Sequence, residues 1–95
     1  MPTYERTTRF DRDLTVLDRA DRARFTAAVE TFIEDLRAGS FRPGLRVRAV
    51  EGAPGVFEMT WAPNGRATFE YGTSRGAGPH VIWRRVGTHD VYREP

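Results

Sequence analysis

The sequence contains no cysteine and no lysine, and only two of its 95 residues are histidine. Without cysteine, no disulfide and no thiolate metal centre can hold the fold together. Two histidines with no HExxH-type spacing leave too few ligands for a zinc site. No GxGxxG or GxxxxGKS/T run is present, so the nucleotide-binding loops are absent as well. Ser40 and Ser74 have no visible partnering base. No metal and no small-molecule cofactor is therefore expected. No stretch approaches the ~18 apolar residues of a membrane span. Met1 to Phe10 is charged where a secretory signal would be apolar. The expectation is a cytoplasmic protein without a membrane partner. Repeats, linkers and low-complexity tracts are also missing, so residues 1–95 read as a single domain. A chain of this length buries roughly 60–70% of its unfolded surface, enough for one core.

What is present is arginine. All fifteen basic side chains are Arg, and the net charge is +2. Residues 1–38 hold seven Arg against eight Asp and Glu, whereas residues 39–95 hold eight against five. The basic excess belongs to the second half. A GC-rich genome explains the Arg-for-Lys bias without function. The functional alternative is that a planar guanidinium fork matches phosphate where an ammonium offers only a point charge.

Apolar periodicity divides the chain in two. Tyr4 to Phe10 alternates and reads as a first strand. Asp11 is placed to cap a short helix through Leu14 and Leu17, and Asp21 to cap a second. Phe25, Val29, Phe32, Ile33 and Leu36 recur at i, i+4, i+7, i+8 and i+11, one stripe of a helix with charged residues opposite. Gly39 sits where a left-handed residue would end it. From residue 45 the period becomes two. Leu45–Val50, Val56–Ala62, Arg66–Tyr71 and His80–Val86 read as strands, separated at Gly52–Gly55, Pro63–Gly65 and Gly72–Pro79. The plan is α+β: an antiparallel twisted sheet of about four or five strands, with two N-terminal helices packed on one face.

The turn Ala62-Pro63-Asn64-Gly65 sets which side chains share a face. A type I turn followed by a left-handed Gly65 would make a three-residue loop. Ala62 would then oppose Arg66, Trp61 Ala67, Met59 Phe69 and Phe57 Tyr71, and Glu58 would face Glu70. Phe57, Met59, Trp61, Ala67, Phe69 and Tyr71 would pack under the helices. The other face would carry Glu58, Thr60, Arg66, Thr68 and Glu70, joined by Arg46 and Arg48 from the neighbouring strand.

That bare face is the candidate site. Arg46, Arg48 and Arg66 on adjacent strands would form either a solvated surface neutralised by Glu58 and Glu70 or a cradle for phosphate. Glu58 and Glu70 would be ion-pair partners or, in the sharper reading, supply a general base. The segment Trp83-Arg84-Arg85-Val86-Gly87-Thr88-His89-Asp90-Val91-Tyr92 is the densest polar cluster. His89 is suited to move a proton near neutral pH, and Tyr92 to stack on a base. Alternatively, His89 and Asp90 cap the last strand and Tyr92 covers the core edge. His80, alone beside a Gly-Pro turn, reads as structural. Arg84 and Arg85 point to opposite faces of a strand, and alternation does not select between them.

Taken in order, the first strand, the two helices, Val56-Phe57-Glu58-Met59-Thr60-Trp61, Gly65-Arg66-Ala67-Thr68-Phe69-Glu70-Tyr71 and Arg85-Val86-Gly87-Thr88-His89-Asp90-Val91-Tyr92 resemble the RelE/ParE toxin superfamily over nearly the whole chain. The Arg-x-Gly-x-His ending with a nearby aromatic is similar to its ribonuclease branch. The resemblance implies a toxin of a type II toxin–antitoxin system, partnered by a cognate antitoxin. It further implies a metal-independent mRNA endoribonuclease (an mRNA interferase) that works on mRNA in the ribosome, inhibits translation and uses the 2′-hydroxyl as nucleophile. Carried onto this chain, Arg66, Arg85, His89 and Tyr92 would be catalytic. Arg66 and Arg85 would steady the phosphate, His89 would transfer the proton and Tyr92 would orient a base or the phosphate. Arg46, Arg48, Glu58 and Arg84 would bind substrate. The pattern departs where ribonuclease members often carry Lys or His, at Glu58 and Thr60. The departure leaves two alternatives: a non-catalytic ParE-type toxin that binds a protein such as DNA gyrase, or a non-toxic relative acting as a binding module.

Overall fold

The computed structural model describes residues 2–74, 76 and 78–95, so Arg75 and Ala77 of the expected Gly72–Pro79 connection lie outside the described residues. Strand β1 (Thr3–Arg6) leads into helix α1 (Thr8–Val16) and the long helix α2 (Arg19–Ala38). A 3₁₀ turn (Pro43–Leu45) and the two-residue β2 (Arg48–Ala49) follow. Then come β3 (Val56–Ala62), β4 (Gly65–Gly72), β5 (His80–Gly87) and a closing 3₁₀ turn (His89–Arg93). The five strands form one sheet in the order β1-β5-β4-β3-β2. Pairing is antiparallel except that β1 runs parallel to β5, so the sheet is mixed. The expected antiparallel sheet is found except at this edge, where helices, not a hairpin, join β1 to the meander. A long helical connection leaves parallel pairing open.

The first helix begins earlier than its sequence suggested. Thr7, not Asp11, is the N-cap, its hydroxyl oxygen accepting from the Phe10 amide at 3.1 Å. The β-branched pair Thr7-Thr8 imitated a strand, while Phe10 and Leu14 lie on one stripe of the helix and Leu17 follows its end. For α2 the cap is Asp18, accepting from the Asp21 amide at 2.8 Å, rather than Asp21 itself. Gly39 ends α2 at φ 84°, as expected, with its N–H on the Asp35 and Leu36 carbonyls. The next segment is held by Asp35. This buried carboxylate accepts from the Arg42 amide, Nε and Nη2 at 2.9, 2.9 and 2.7 Å.

Both helices lie on one face of the sheet, and the core between the layers is aromatic. Phe32 contacts Phe69 at 5.0 Å and Trp83 at 5.1 Å between ring centroids. Phe10 and Phe25 lie against Trp83, and Phe25 meets Trp61 edge-on at 6.1 Å. Each fully buried Phe contributes roughly 1.5–3 kcal/mol. At the far edge, buried His80 ties β5 to β1, with Nδ1 2.7 Å from Thr3 Oγ1 and Nε2 2.9 Å from Glu5 Oε1.

The hairpin register differs from expectation while its sidedness does not. Met59 pairs with Ala67, Phe57 with Phe69, Glu58 with Thr68 and Val56 with Glu70. Glu58 and Glu70 therefore do not face one another. Ala62 pairs with Gly65, and the irregularity falls at Trp61, between Thr60 and Ala62. Gly65 already belongs to β4 and has no positive φ. What requires glycine there is the Trp61 indole, since a Cβ at Gly65 would lie 2.5 Å from two ring carbons. The paired register is displaced by two residues from the expected one. An even shift keeps every side chain on its face, whereas a one-residue slip would invert the strand.

The expected strand Leu45–Val50 is mostly not strand. Proline and glycine make Pro43–Leu45 a 3₁₀ turn, and Arg46 adopts φ 49°, ψ 45°. Only Arg48 and Ala49 pair with β3.

Candidate functional site

The sheet face opposite the helices carries a cleft of about 520 Å³ lined by Arg48, Ala49, Val50, Glu51, Glu58, Arg66, His89 and Tyr92. Three backbone features build it. The β2–β3 pairing sets Arg48 opposite Glu58. The tight turn after Trp61 sets Arg66 opposite Thr60, next to Glu58 along β3. The 3₁₀ turn after β5 folds back over the sheet and brings His89 and Tyr92 in from the far end, their rings 5.9 Å apart.

Glu58 is the centre of the electrostatics. Its Oε1 accepts from Arg48 Nε at 2.5 Å. Its Oε2 is buried. The hydrogen bond and charge of Glu58 hold the Arg48 guanidinium above its ordinary range. Tyr92 is raised too, first by burial and then by its hydrogen bond to and the charge of the Glu58 carboxylate. It is therefore a neutral hydrogen-bond donor at physiological pH. Arg66 has no carboxylate partner among the described residues. Its Nη1 donates to the carbonyls of Gly65, Ala62 and Pro63 at 2.9, 3.3 and 3.3 Å. These carbonyls orient the guanidinium without cancelling its charge. The site thus offers a cation aimed by backbone, a largely buried carboxylate, an imidazole and a neutral phenol.

Of the residues singled out in the sequence, Arg48, Glu58, Arg66, His89 and Tyr92 come together here. Arg46 does not line the cleft, because its left-handed backbone takes it out of the strand. Arg84 and Arg85 lie in a neighbouring hollow. Arg85 is held by Asp13 of α1, through Nε at 2.6 Å and Nη2 at 3.3 Å. Arg84 Nη1 donates to Glu70 at 2.8 Å. The two arginines escape strict alternation because β5 bulges there. Thr68 pairs with Arg85 and Phe69 with Trp83, leaving Arg84 as the extra residue of a bulge. Glu51 also lines the cleft, and nothing in its isolated position after Val50 marks it in the sequence. Among the described residues no three His, Asp or Glu side chains gather as a metal site, and no helix is long and apolar enough to cross a membrane.

Neither a protein-family model nor a curated protein matches the sequence. Solved structures do match. The E. coli DinJ–YafQ complex contains a chain that superposes with TM-score 0.73 at 12% identity, covering 96% of this chain and 97% of that one. The Methanococcus jannaschii RelB–RelE antitoxin–toxin complex gives 0.64 at 18%, covering 94% of each. A YoeB/ParE toxin from Agrobacterium tumefaciens gives 0.66 at 16%, covering 92% of this chain and 98% of that one. At such identities the likeness establishes architecture: the two-helix, five-stranded plan is that of the RelE/ParE toxins.

Proposed function

We propose that a chain with this architecture and this cleft is the toxin of a type II toxin–antitoxin pair, and that it cuts mRNA on the ribosome without a metal. The observation that carries the chemistry is the convergence of Glu58, Arg66, His89 and Tyr92 on one open sheet face. The antitoxin partner is supported by the neighbours YafQ and RelE, which were solved with DinJ and RelB.

In the proposed reaction a ribose 2′-hydroxyl attacks the adjacent phosphorus and the P–O5′ bond breaks, leaving a 2′,3′-cyclic phosphate and a 5′-hydroxyl. Glu58, held by Arg48 at the floor of the cleft, takes the 2′ proton. His89 gives one to the departing 5′ oxygen. Arg66 stabilises the charge that grows on the non-bridging oxygens, in a position where backbone carbonyls have already oriented it. Tyr92, kept neutral, donates a hydrogen bond to the phosphate or a base. Arg48 fixes Glu58 and offsets its repulsion of the substrate.

The test is induced expression followed by mapping of new 5′ ends in cellular RNA. Growth arrest with new ends inside translated messages is expected from the parent and not from His89→Ala. Arrest without new ends would overturn the nuclease reading. A second reading, a non-catalytic toxin of the gyrase-binding kind, draws on one observation: Glu58 neutralises Arg48 inside the cleft. On that reading His89→Ala would remain toxic and cells would show DNA damage.

A further inference from the structure

Beyond the closing 3₁₀ turn, the segment Glu94–Pro95 crosses the same sheet face and takes up an unusual number of donors. Arg85 Nη1 donates to the Glu94 carbonyl at 3.1 Å. Arg84 Nε and Thr68 Oγ1 both donate to the Pro95 carbonyl, at 3.1 and 2.8 Å. Arg9 of α1 reaches over to pair with the Glu94 carboxylate. Four donor side chains from three elements thus converge on oxygen atoms of two residues. The three arginines line a hollow of about 320 Å³ together with Thr7, Ala53 and Val56. The bulge in β5 is what makes this possible, since it aims two consecutive arginines at one place.

The hollow continues the cleft. Arg48 pairs with Glu58, Glu58 with Thr68 and Thr68 with Arg85, one row of residues across four strands. Two strand spacings, about 10 Å, separate Glu58 from Arg85. A single-stranded backbone lying on this face would therefore meet Arg84 and Arg85, steadied by Glu70 and Asp13, next after the cleft, but for Glu94–Pro95 taking up their remaining donors.

We infer that Arg9, Arg84 and Arg85 form a second phosphodiester subsite, and that Glu94–Pro95 plugs it with the chain's own oxygen atoms until RNA displaces them. The inference rests on the RNA reading of the cleft. It adds Arg9 as an RNA ligand and Glu94 as an internal competitor. The Arg9–Glu94 pair is about half to two-thirds exposed, with side chains 50% and 68% accessible. Lifting it is therefore easy, on the scale of an exposed ion pair.

The experiment is equilibrium binding of a short single-stranded RNA carrying 2′-deoxyribose at every position open to attack, so that binding is read without cleavage. Glu94→Gln should bind about 1.4-fold to fivefold tighter than the parent, the range of one exposed ion pair. Arg9→Ala should bind more weakly and flatten the plot of log affinity against log salt by about 0.7, one phosphate contact on a single strand. The double variant should behave like Arg9→Ala. Both side chains are exposed, so far-UV circular dichroism should be unchanged. Glu94→Gln binding no tighter, or Arg9→Ala keeping the parental salt slope, overturns the plug while leaving the cleft's chemistry standing. A parent protein that fails to bind the RNA at all overturns the subsite, whereas the cleavage reading falls only to the mapping of RNA ends.

Discussion

Replacing Gly65 by alanine is the most informative structural perturbation. The added Cβ would sit 2.5 Å from Cδ2 and Cε2 of Trp61 and 2.8 Å from Cε3. Ordinary carbon contacts lie near 3.5–4.0 Å, so the ring must retreat by about 1 Å. It has little room to do so, because the indole is buried and meets Phe25 edge-on on its other side. Overpacking of this kind costs about 1–3 kcal/mol, and a rigid ring against backbone belongs at the upper end, about 2–3 kcal/mol. For a domain of this size that lowers Tm by roughly 10–20 °C. The control is a double-mutant cycle with Trp61→Leu, which removes the ring. In that background Gly65→Ala should cost close to nothing, giving a coupling of about 2 kcal/mol. Thermal or denaturant unfolding of the four proteins measures it. A Gly65→Ala loss below about 0.5 kcal/mol, or equal losses in both backgrounds, would refute the placement of the irregularity at Trp61. Arg66 would then lose its structural rationale, since the same turn supplies the carbonyls that orient it.

Other outcomes follow from particular contacts. Arg42 lowers the Asp35 pKa through its hydrogen bonds. A lowered carboxylate stabilises the fold above its unfolded value near ~3.9 and loses that contribution as pH falls through the native value. Asp35→Asn should therefore flatten the acid limb of Tm between pH 2 and 5, and an unchanged limb would contradict the pairing. Arg46 is held at φ 49°, a conformation that costs an L residue about 1–2 kcal/mol. Arg46→Gly should raise stability by about 0.5–1 kcal/mol after glycine's own entropy cost, with RNA cleavage unaltered. A loss of cleavage would return Arg46 to the site.

Much of the fold is legible in the residues, because burial writes a period into them. The Phe25–Leu36 stripe, the αL glycine at 39 and the aromatic face of β3 and β4 all follow from spacing alone. The face survived an incorrect register because an even displacement conserves sidedness. What escaped the sequence depends on contacts distant along the chain or on local backbone choices that several residues could make. Asp18 and Asp21 are equally good caps in composition, and Thr7-Thr8 suits a strand as well as a helix start. The bulge that leaves Arg84 unpaired shows only as the odd step from Trp83 to Val86, both core residues, which strict alternation does not anticipate. The return of Glu94 and Pro95 to Arg9, Arg84 and Thr68 joins residues up to 85 positions apart. Of the candidate site, the residue types were readable from alternation and from the family resemblance. Their division into two neighbouring hollows was not.

The central claim is that Glu58, Arg66, His89 and Tyr92 form one reacting centre. Its most direct measurement is cleavage of ribosome-bound mRNA by purified parent and His89→Ala proteins, under single-turnover conditions and with equal binding verified. The parent should generate 5′-hydroxyl ends, and removing the imidazole should slow that step by about 10²- to 10⁴-fold. Equal rates from the two proteins, or no cleavage by the parent, would contradict the account.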